Sequence, residues 1–305
     1  MRICVFGAGG LGGFFGGWLA ASGADVTFIA RGRHFEAMEQ RGLDVRSGFG
    51  NKMISPVKVV EDPKQVGGID ILVFAVKSFD LPEAVSHCQP HIEPGTLIVS
   101  LLNGVDWVDT LRGAFPECPL AAGITMVPSN ILSPGIIQHQ GSNKSIVLGV
   151  VGGGTPDSLV TFGELMNQAH IDARIIENPE VSLWREFIGW SAGAGVTSLC
   201  RQPFGVIQED SALKKTVKAA MEEVAALARA KNIAISDDTV SAMMNRFLSL
   251  PPSAKSSMLV DLEKGKPIEL EAGPGTVVRQ SQNKGIDTPV NRAILAALGP
   301  FANGQ

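Results

Sequence analysis

The chain has 305 residues, 45% of them hydrophobic and 18% charged, enough for about two domains with sizeable cores. Its 26 Lys and Arg against 30 Asp and Glu leave a net charge of −4 with no long block of one sign, which argues against a dedicated nucleic-acid binder with its basic face. Cys4, Cys88, Cys118 and Cys200 form no C-x-x-C pair, so no metal site, disulfide framework or thioredoxin-type redox pair is expected, and the absence of tyrosine excludes every enzyme class whose proton donor must be a tyrosine.

No charge stands between Arg2 and Asp25, and Ala20-Ala21-Ser22-Gly23-Ala24 imitates the small-residue site that ends an export signal. The competing reading is a buried strand over 2–6, a glycine-rich turn and a helix. The glycines at 7, 9, 10, 12, 13, 16, 17 and 23 favour that second reading, because each costs a lipid-spanning or leader helix about 1 kcal/mol relative to alanine. No other uncharged run is long enough to span a bilayer. A cytoplasmic protein with no membrane partner is expected.

Further strands are expected at 26–30, 71–76, 97–101, 120–127 and 146–150, alternating with helical patterns. The runs at 71–76 and 97–101 are almost wholly apolar, as strands covered on both faces are. Segment 129–150 is richer in polar and turn residues and reads as a late antiparallel addition to the sheet. A helix at 157–169 and a strand at 172–177 close this half. After Asn178-Pro179 only helices are expected, at 181–200, 209–231, 237–249, 256–263, 268–283 and 290–298. Met221, Val224, Leu227 and Ala228 form the buried stripe of the second of these.

Gly7-Ala8-Gly9-Gly10-Leu11-Gly12 matches G-x-G-x-x-G directly after the first strand and at the start of a helix. In that context the first glycine permits the tight turn, the second lets the backbone approach a diphosphate, and the third allows close helix–strand packing. The helix N-terminus then offers free N–H groups to the phosphates. The fold class is therefore α/β, a Rossmann-type doubly wound sheet over 1–178 followed by an all-helical domain over 179–305. At the end of the second strand an NAD site carries a carboxylate. Here the chain reads Arg31-Gly32-Arg33-His34, with no acid before Glu36. Arg31, together with Arg33, is suited to a 2′-phosphate, so the cofactor expected is NADP(H).

Further motifs accompany this turn: Phe74-Ala75-Val76-Lys77, Leu101-Leu102-Asn103-Gly104-Val105, Leu183-Trp184-Arg185, Ser256-Ser257-Met258-Leu259 and Ile268-Glu269. With them the chain resembles the ketopantoate reductase family over nearly its full length. The resemblance implies NADPH-dependent reduction of a 2-oxo acid to a 2-hydroxy acid, with substrate bound between the domains, and a homodimer. It places Lys77 near the cofactor phosphate and Asn103 beside the nicotinamide. Ser257 and Glu269 fall at the substrate's carboxylate side and its hydroxyl.

One departure stands out. The family's proton donor is a lysine two residues after the tryptophan of the central helix, and here that residue is Glu186. The next positions on the same helical face, one and two turns on, are asparagines in the family and are Trp190 and Ala194 here. Arg185 points about 100° round the helix and holds its proton near neutral pH. Three readings follow. The first is a carbonyl reductase in which Glu186, or a water held by Glu186 and Glu269, supplies the proton. The second is a reductase for an imine or other cationic substrate welcomed by that pair of acids. The third is a nucleotide-binding protein with little turnover. Lys255, Lys264 and Lys266 are nearby in sequence as alternative ammonium groups.

Overall fold

A computed structural model describes residues 1–304 of the chain. They form two compact units, Met1–Leu102 with Trp107–Pro179, and Asn103–Asp106 with residues 180–304. The short Asn103–Asp106 segment thus leaves the expected 1–178 domain and joins the helical unit.

The strands of the first unit are β1 (Arg2–Phe6), β2 (Asp25–Ile29), β3 (Leu43–Arg46), β4 (Lys52–Ile54), β5 (Lys58–Val60), β6 (Ile71–Phe74), β7 (Leu97–Ser100), β8 (Leu120–Thr125), β9 (Ser129–Ser133), β10 (Ile136–His139), β11 (Ser145–Val150) and β12 (Asp172–Ile175). Its helices are α1 (Gly10–Ala21), α2 (Gly32–Arg41), α3 (Leu81–Cys88), α4 (Trp107–Ala114) and α5 (Asp157–Gln168). Eight strands make one sheet in the order β12-β11-β8-β7-β6-β1-β2-β5, parallel from β5 to β8. Both β6 and β7 are buried at every position. From β1 the chain moves outward to β2 and β5, then returns to β6 and leaves through β7 and β8. Such a reversal opens a crevice at the carboxyl ends of the two strands that flank it, here β1 and β6.

The second sheet, in the order β4-β3-β10-β9, corrects one expectation. Of segment 129–150 only β11 adds antiparallel to the main sheet, beside β8. The pair β9 and β10 instead joins β3 and β4, strands of four and three residues that are too short for an apolar run to reveal. This sheet explains the glycines of α1. A Cβ on Gly16 would meet Phe28 of the main sheet at 2.5 Å, whereas one on Gly13 or Gly17 would meet Ile137 or Val45 of the second sheet at 2.6 Å. Helix α1 lies between two sheets, and its missing side chains let both approach. No helix of the described residues is long and apolar enough to cross a membrane.

The second unit contains α6 (Pro179–Cys200), α7 (Phe204–Glu209), α8 (Ser211–Ala230), α9 (Thr239–Leu248), α10 (Ser257–Glu263), α11 (Thr276–Gln282) and α12 (Pro289–Leu298). Met221, Val224, Leu227 and Ala228 are buried along α8. The helix expected over 268–283 is interrupted: Glu271–Gly275 is a π-turn with Gly273 at φ −99°, ψ −108°. Pro274 has no N–H for a helical bond, and Gly275 N–H reaches back to Leu270 O at 3.0 Å.

Candidate active site

The nucleotide turn lies at the reversal of the first unit's sheet. Gly7 has φ +101°, and a Cβ there would stand 2.8 Å from Ala75 O just past β6. A Cβ on Gly12 would stand 2.0 Å from Gly7 O. Both positions exclude any side chain. Gly9 is different: its φ of −72° suits any residue, and a Cβ there would meet nothing within 4 Å. The open space therefore lies outside the polypeptide. Helix α1 starts at Gly10 and Leu11 with no side-chain cap and no acid in its first turn, leaving the first amides for an anion. A cradle of bare amides, with room over Gly9 that a methyl would fill, fits a diphosphate. His34 braces it from α2. Its Nε2 donates to Ala8 O at 2.8 Å while Nδ1 accepts from Gly135 N–H at 3.1 Å, and burial pushes its pKa below the usual histidine value.

Arg31 follows β2 as the residue before α2. Its side chain is 74% exposed, and the guanidinium lies 3.0 Å from Asp80 Oδ1 and 3.9 Å from Glu83 Oε2. Lys77 follows β6, and its carbonyl accepts from the Asp80 N–H at 2.9 Å. Gly32 N–H donates to Glu61 Oε1 at 3.4 Å. Acids therefore do border the ribose end of this crevice. They come from the connections after β5 and β6, where reading along the chain from β2 does not find them.

In the helical unit, Asn103 Nδ2 donates to Glu269 Oε2 at 3.2 Å across 166 residues of sequence, and Glu269 is only 4% exposed. The rest of the Asn103–Asp106 segment is held by the π-turn and α11. Gly104, at φ +83°, would put a Cβ 2.8 Å from Ala272 O. Asp106 accepts from Thr276 Oγ1 at 2.5 Å, from Arg279 Nη2 at 2.8 Å and from Gln280 Nε2. Contacts from Ala272 of the π-turn and from Thr276, Arg279 and Gln280 of α11 thus hold the segment that carries Asn103 to Glu269. Asp106 escaped the sequence reading; its one local signal is its place two residues after the Asn-Gly turn.

Along α6, Ala194 is buried, and Trp190 lies over the π-turn, where a Cβ on Gly273 would stand 3.3 Å from Trp190 Cζ3. Trp190 Nε1 and Ser191 Oγ are buried with no hydrogen-bond partner among the described residues. Glu186, expected as one of a pair of acids with Glu269, has a basic partner. Its Oε1 accepts from Arg246 Nη1 of α9 at 2.5 Å, so its negative charge is matched by a guanidinium that nothing in the sequence pattern singled out. Ser257 is exposed at the start of α10. The buried serine is Ser256, whose Oγ accepts from Leu259 N–H at 3.1 Å and shares a 2.8 Å hydrogen bond with Thr197 Oγ1. Lys255 is tied to Glu263 at 2.7 Å, and Lys264 and Lys266 are exposed.

The chain matches the family model described as ketopantoate reductase PanE/ApbA over residues 3–153, and the model of that family's C-terminal domain over 179–302. It is 26% identical over 298 residues to the uncharacterized oxidoreductase YkpB of Bacillus subtilis, covering 98% of each chain. It is 27% identical over 303 residues to a 2-dehydropantoate 2-reductase of Archaeoglobus fulgidus, covering 99% of this chain and 98% of that one. The crystal structure of a PanE/ApbA family ketopantoate reductase from Ralstonia eutropha matches with a TM-score of 0.91 at 29% identity, covering 99% of this chain and 98% of that one.

Proposed function

The chain belongs to the ketopantoate reductase family of oxidoreductases, and on that premise we propose that it is an NADPH-dependent reductase converting a 2-oxo acid, or a related ketone, to the hydroxy product. The observation that carries this is the Asn103–Glu269 hydrogen bond. A half-buried amide and a buried carboxylate, brought together from distant motifs and anchored through Asp106, form a donor–acceptor pair suited to a carbonyl and the hydroxyl it becomes.

When bound, the nicotinamide supplies the hydride that adds to the carbonyl carbon. The amides at 7–12 would hold the diphosphate and Arg31, with Arg33, the 2′-phosphate, with Lys77 near the cofactor phosphate. Asn103 orients the carbonyl. The carbonyl oxygen takes its proton from a water held at Glu269, a proton that bulk solvent restores to the hydroxide left there, and Glu186 enters as the charge partner of Arg246. Ser257, Trp190 and Ala194 shape the substrate side, with Trp190 offering its unused indole N–H. Because Arg246 compensates Glu186, one charge of the acid pair that would draw in an imine or other cation is neutralised, which favours the oxo-acid reading. A cytoplasmic homodimer belongs to the same proposal by family likeness.

The test is NADPH fluorescence on mixing, followed by NADPH oxidation against 2-oxo acids (2-dehydropantoate included), ketones and imines. Binding with oxidation by oxo acids supports the reading. Binding with no turnover of any compound leaves a nucleotide-binding protein, and no binding removes the premise of a cofactor site.

A further inference from the structure

A 2-oxo acid brings a carboxylate, and two uncompensated acids would repel it. The compensation in the helical unit comes from α9. A Cβ on Gly189 would stand 3.6 Å from Met243 Sδ, and one on Gly193 would stand 3.5 Å from Phe247 Cδ2, ordinary packing distances that place α9 directly against this stretch of α6. That packing sets Arg246, which lies between Met243 and Phe247 in the chain, beside Glu186. The ion pair is one-armed. Nη1 donates to Glu186 Oε1 at 2.5 Å, and among the described residues the guanidinium has no other acceptor. A guanidinium has five N–H donors; the remaining four, with the Nη2 edge among them, belong to a side chain 35% exposed. One turn along α6 from Glu186, Trp190 holds a second donor without an acceptor, buried over the turn that begins two residues after Glu269. Glu186 and Trp190 share a helix face by their i, i+4 spacing. Unfilled donors on that face match the oxygens of a carboxylate.

We propose that Arg246 is the specificity-determining residue of this site. Its free guanidinium edge takes the carboxylate of the substrate, and Glu186 is the positioning residue that fixes the guanidinium. The inference rests on the reductase reading and narrows it to carbonyl compounds that bear a carboxylate. Neutral ketones and cations have no counterpart at Arg246.

The test is calorimetric binding of oxamate, an unreactive 2-oxo-acid analogue, and of neutral oxamide, with and without NADP+, to the wild type, Arg246→Gln, Arg246→Lys and Glu186→Gln. Oxamate affinity should fall about tenfold or more in Arg246→Gln, because a hydrogen-bonded charge pair is lost. It should recover in part in Arg246→Lys and fall about threefold in Glu186→Gln, with oxamide unaffected throughout. In turnover, Arg246→Gln should raise KM for 2-oxo acids and leave both the KM of their methyl esters and the NADPH Kd unchanged. Oxamate binding absent from the wild type, or equal in wild type and Arg246→Gln, overturns the proposal, as does an equal loss for acid and ester. Arg246-dependent oxamate binding in a protein that oxidises no NADPH would instead sink the reductase reading and leave the carboxylate site standing.

Discussion

The Arg31 guanidinium donates to Asp80 Oδ1 at 3.0 Å, so the cation best placed for a 2′-phosphate already has a carboxylate partner. A pair this exposed is worth about 0–1 kcal/mol. The doubly charged 2′-phosphate of the proposed NADPH would compete with Asp80 for the guanidinium fork.

Arg31→Ala should therefore raise the NADPH Kd by about tenfold to a hundredfold, the range of a hydrogen bond to a charged group, and change the NADH Kd by less than about twofold. Asp80→Asn should tighten NADPH by removing a like charge. Fluorescence titration of both nucleotides checks this; an equal loss for the two in Arg31→Ala would defeat the 2′-phosphate assignment.

Gly9 and Gly7 separate ligand contact from fold. Gly9→Ala puts a methyl where no protein atom lies within 4 Å, so the melting temperature should hold while nucleotide affinity collapses. Gly7→Ala forces a left-handed φ of +101° and a 2.8 Å contact with Ala75 O, and should cost about 1–3 kcal/mol of stability. Thermal melts with and without NADPH distinguish the two. A Gly9→Ala variant that binds NADPH normally would show that the space over Gly9 is not the diphosphate's.

Asp106 reaches the chemistry through Asn103. Asp106→Ala removes the acceptor of Thr276, Arg279 and Gln280 and frees the turn that presents Asn103. A displacement of about 1 Å at a positioning group costs roughly 10²-fold in rate, so kcat should fall by about that factor with the NADPH Kd unchanged. Steady-state kinetics and a nucleotide titration check it. Proportional loss of both quantities would mean general unfolding instead.

His34 makes the nucleotide loop acid-sensitive. Burial lowers its pKa from 6.5, and the hydrogen bond with Ala8 O only partly offsets this. The neutral ring accepts from Gly135 N–H, a role that protonation of Nδ1 abolishes. Because the folded value is the lower one, the stabilisation is complete above about pH 6.5 and is lost as pH falls through the depressed folded value. His139, lowered in the same direction by burial, adds to the slope. The melting temperature measured from pH 7.5 to 5 should drop, and His34→Gln should flatten the curve. An unchanged slope in His34→Gln would assign the effect elsewhere.

Much of the first unit was legible from local pattern. Fully apolar runs marked β6 and β7, and the glycine spacing after β1 marked the phosphate turn. The misses share a cause. Strands β3, β4, β9 and β10 are short and build a sheet from two distant segments, so no window of sequence holds their pairing. The Gly273-Pro274-Gly275 break lay in plain view inside a helical period, and the period outweighed the breaker.

At the candidate site the sequence named Asn103, Glu269, Glu186 and Trp190 individually. It did not say which charges meet. Read alone, Glu186 and Glu269 form a pair of acids. In the fold, Glu186 goes to Arg246 and Glu269 to Asn103.

What the residues determined unaided is whatever a few neighbours in the chain decide: turn geometry and strand or helix period. The partner of each charge was decided only by tertiary packing, because it depends on how closely two elements approach. For Arg246 that approach is the packing of Met243 and Phe247 against α6 at Gly189 and Gly193, and for Asn103 it is the fit of Gly104 against Ala272. Contacts of this kind join residues tens to hundreds of positions apart, and no local period encodes them.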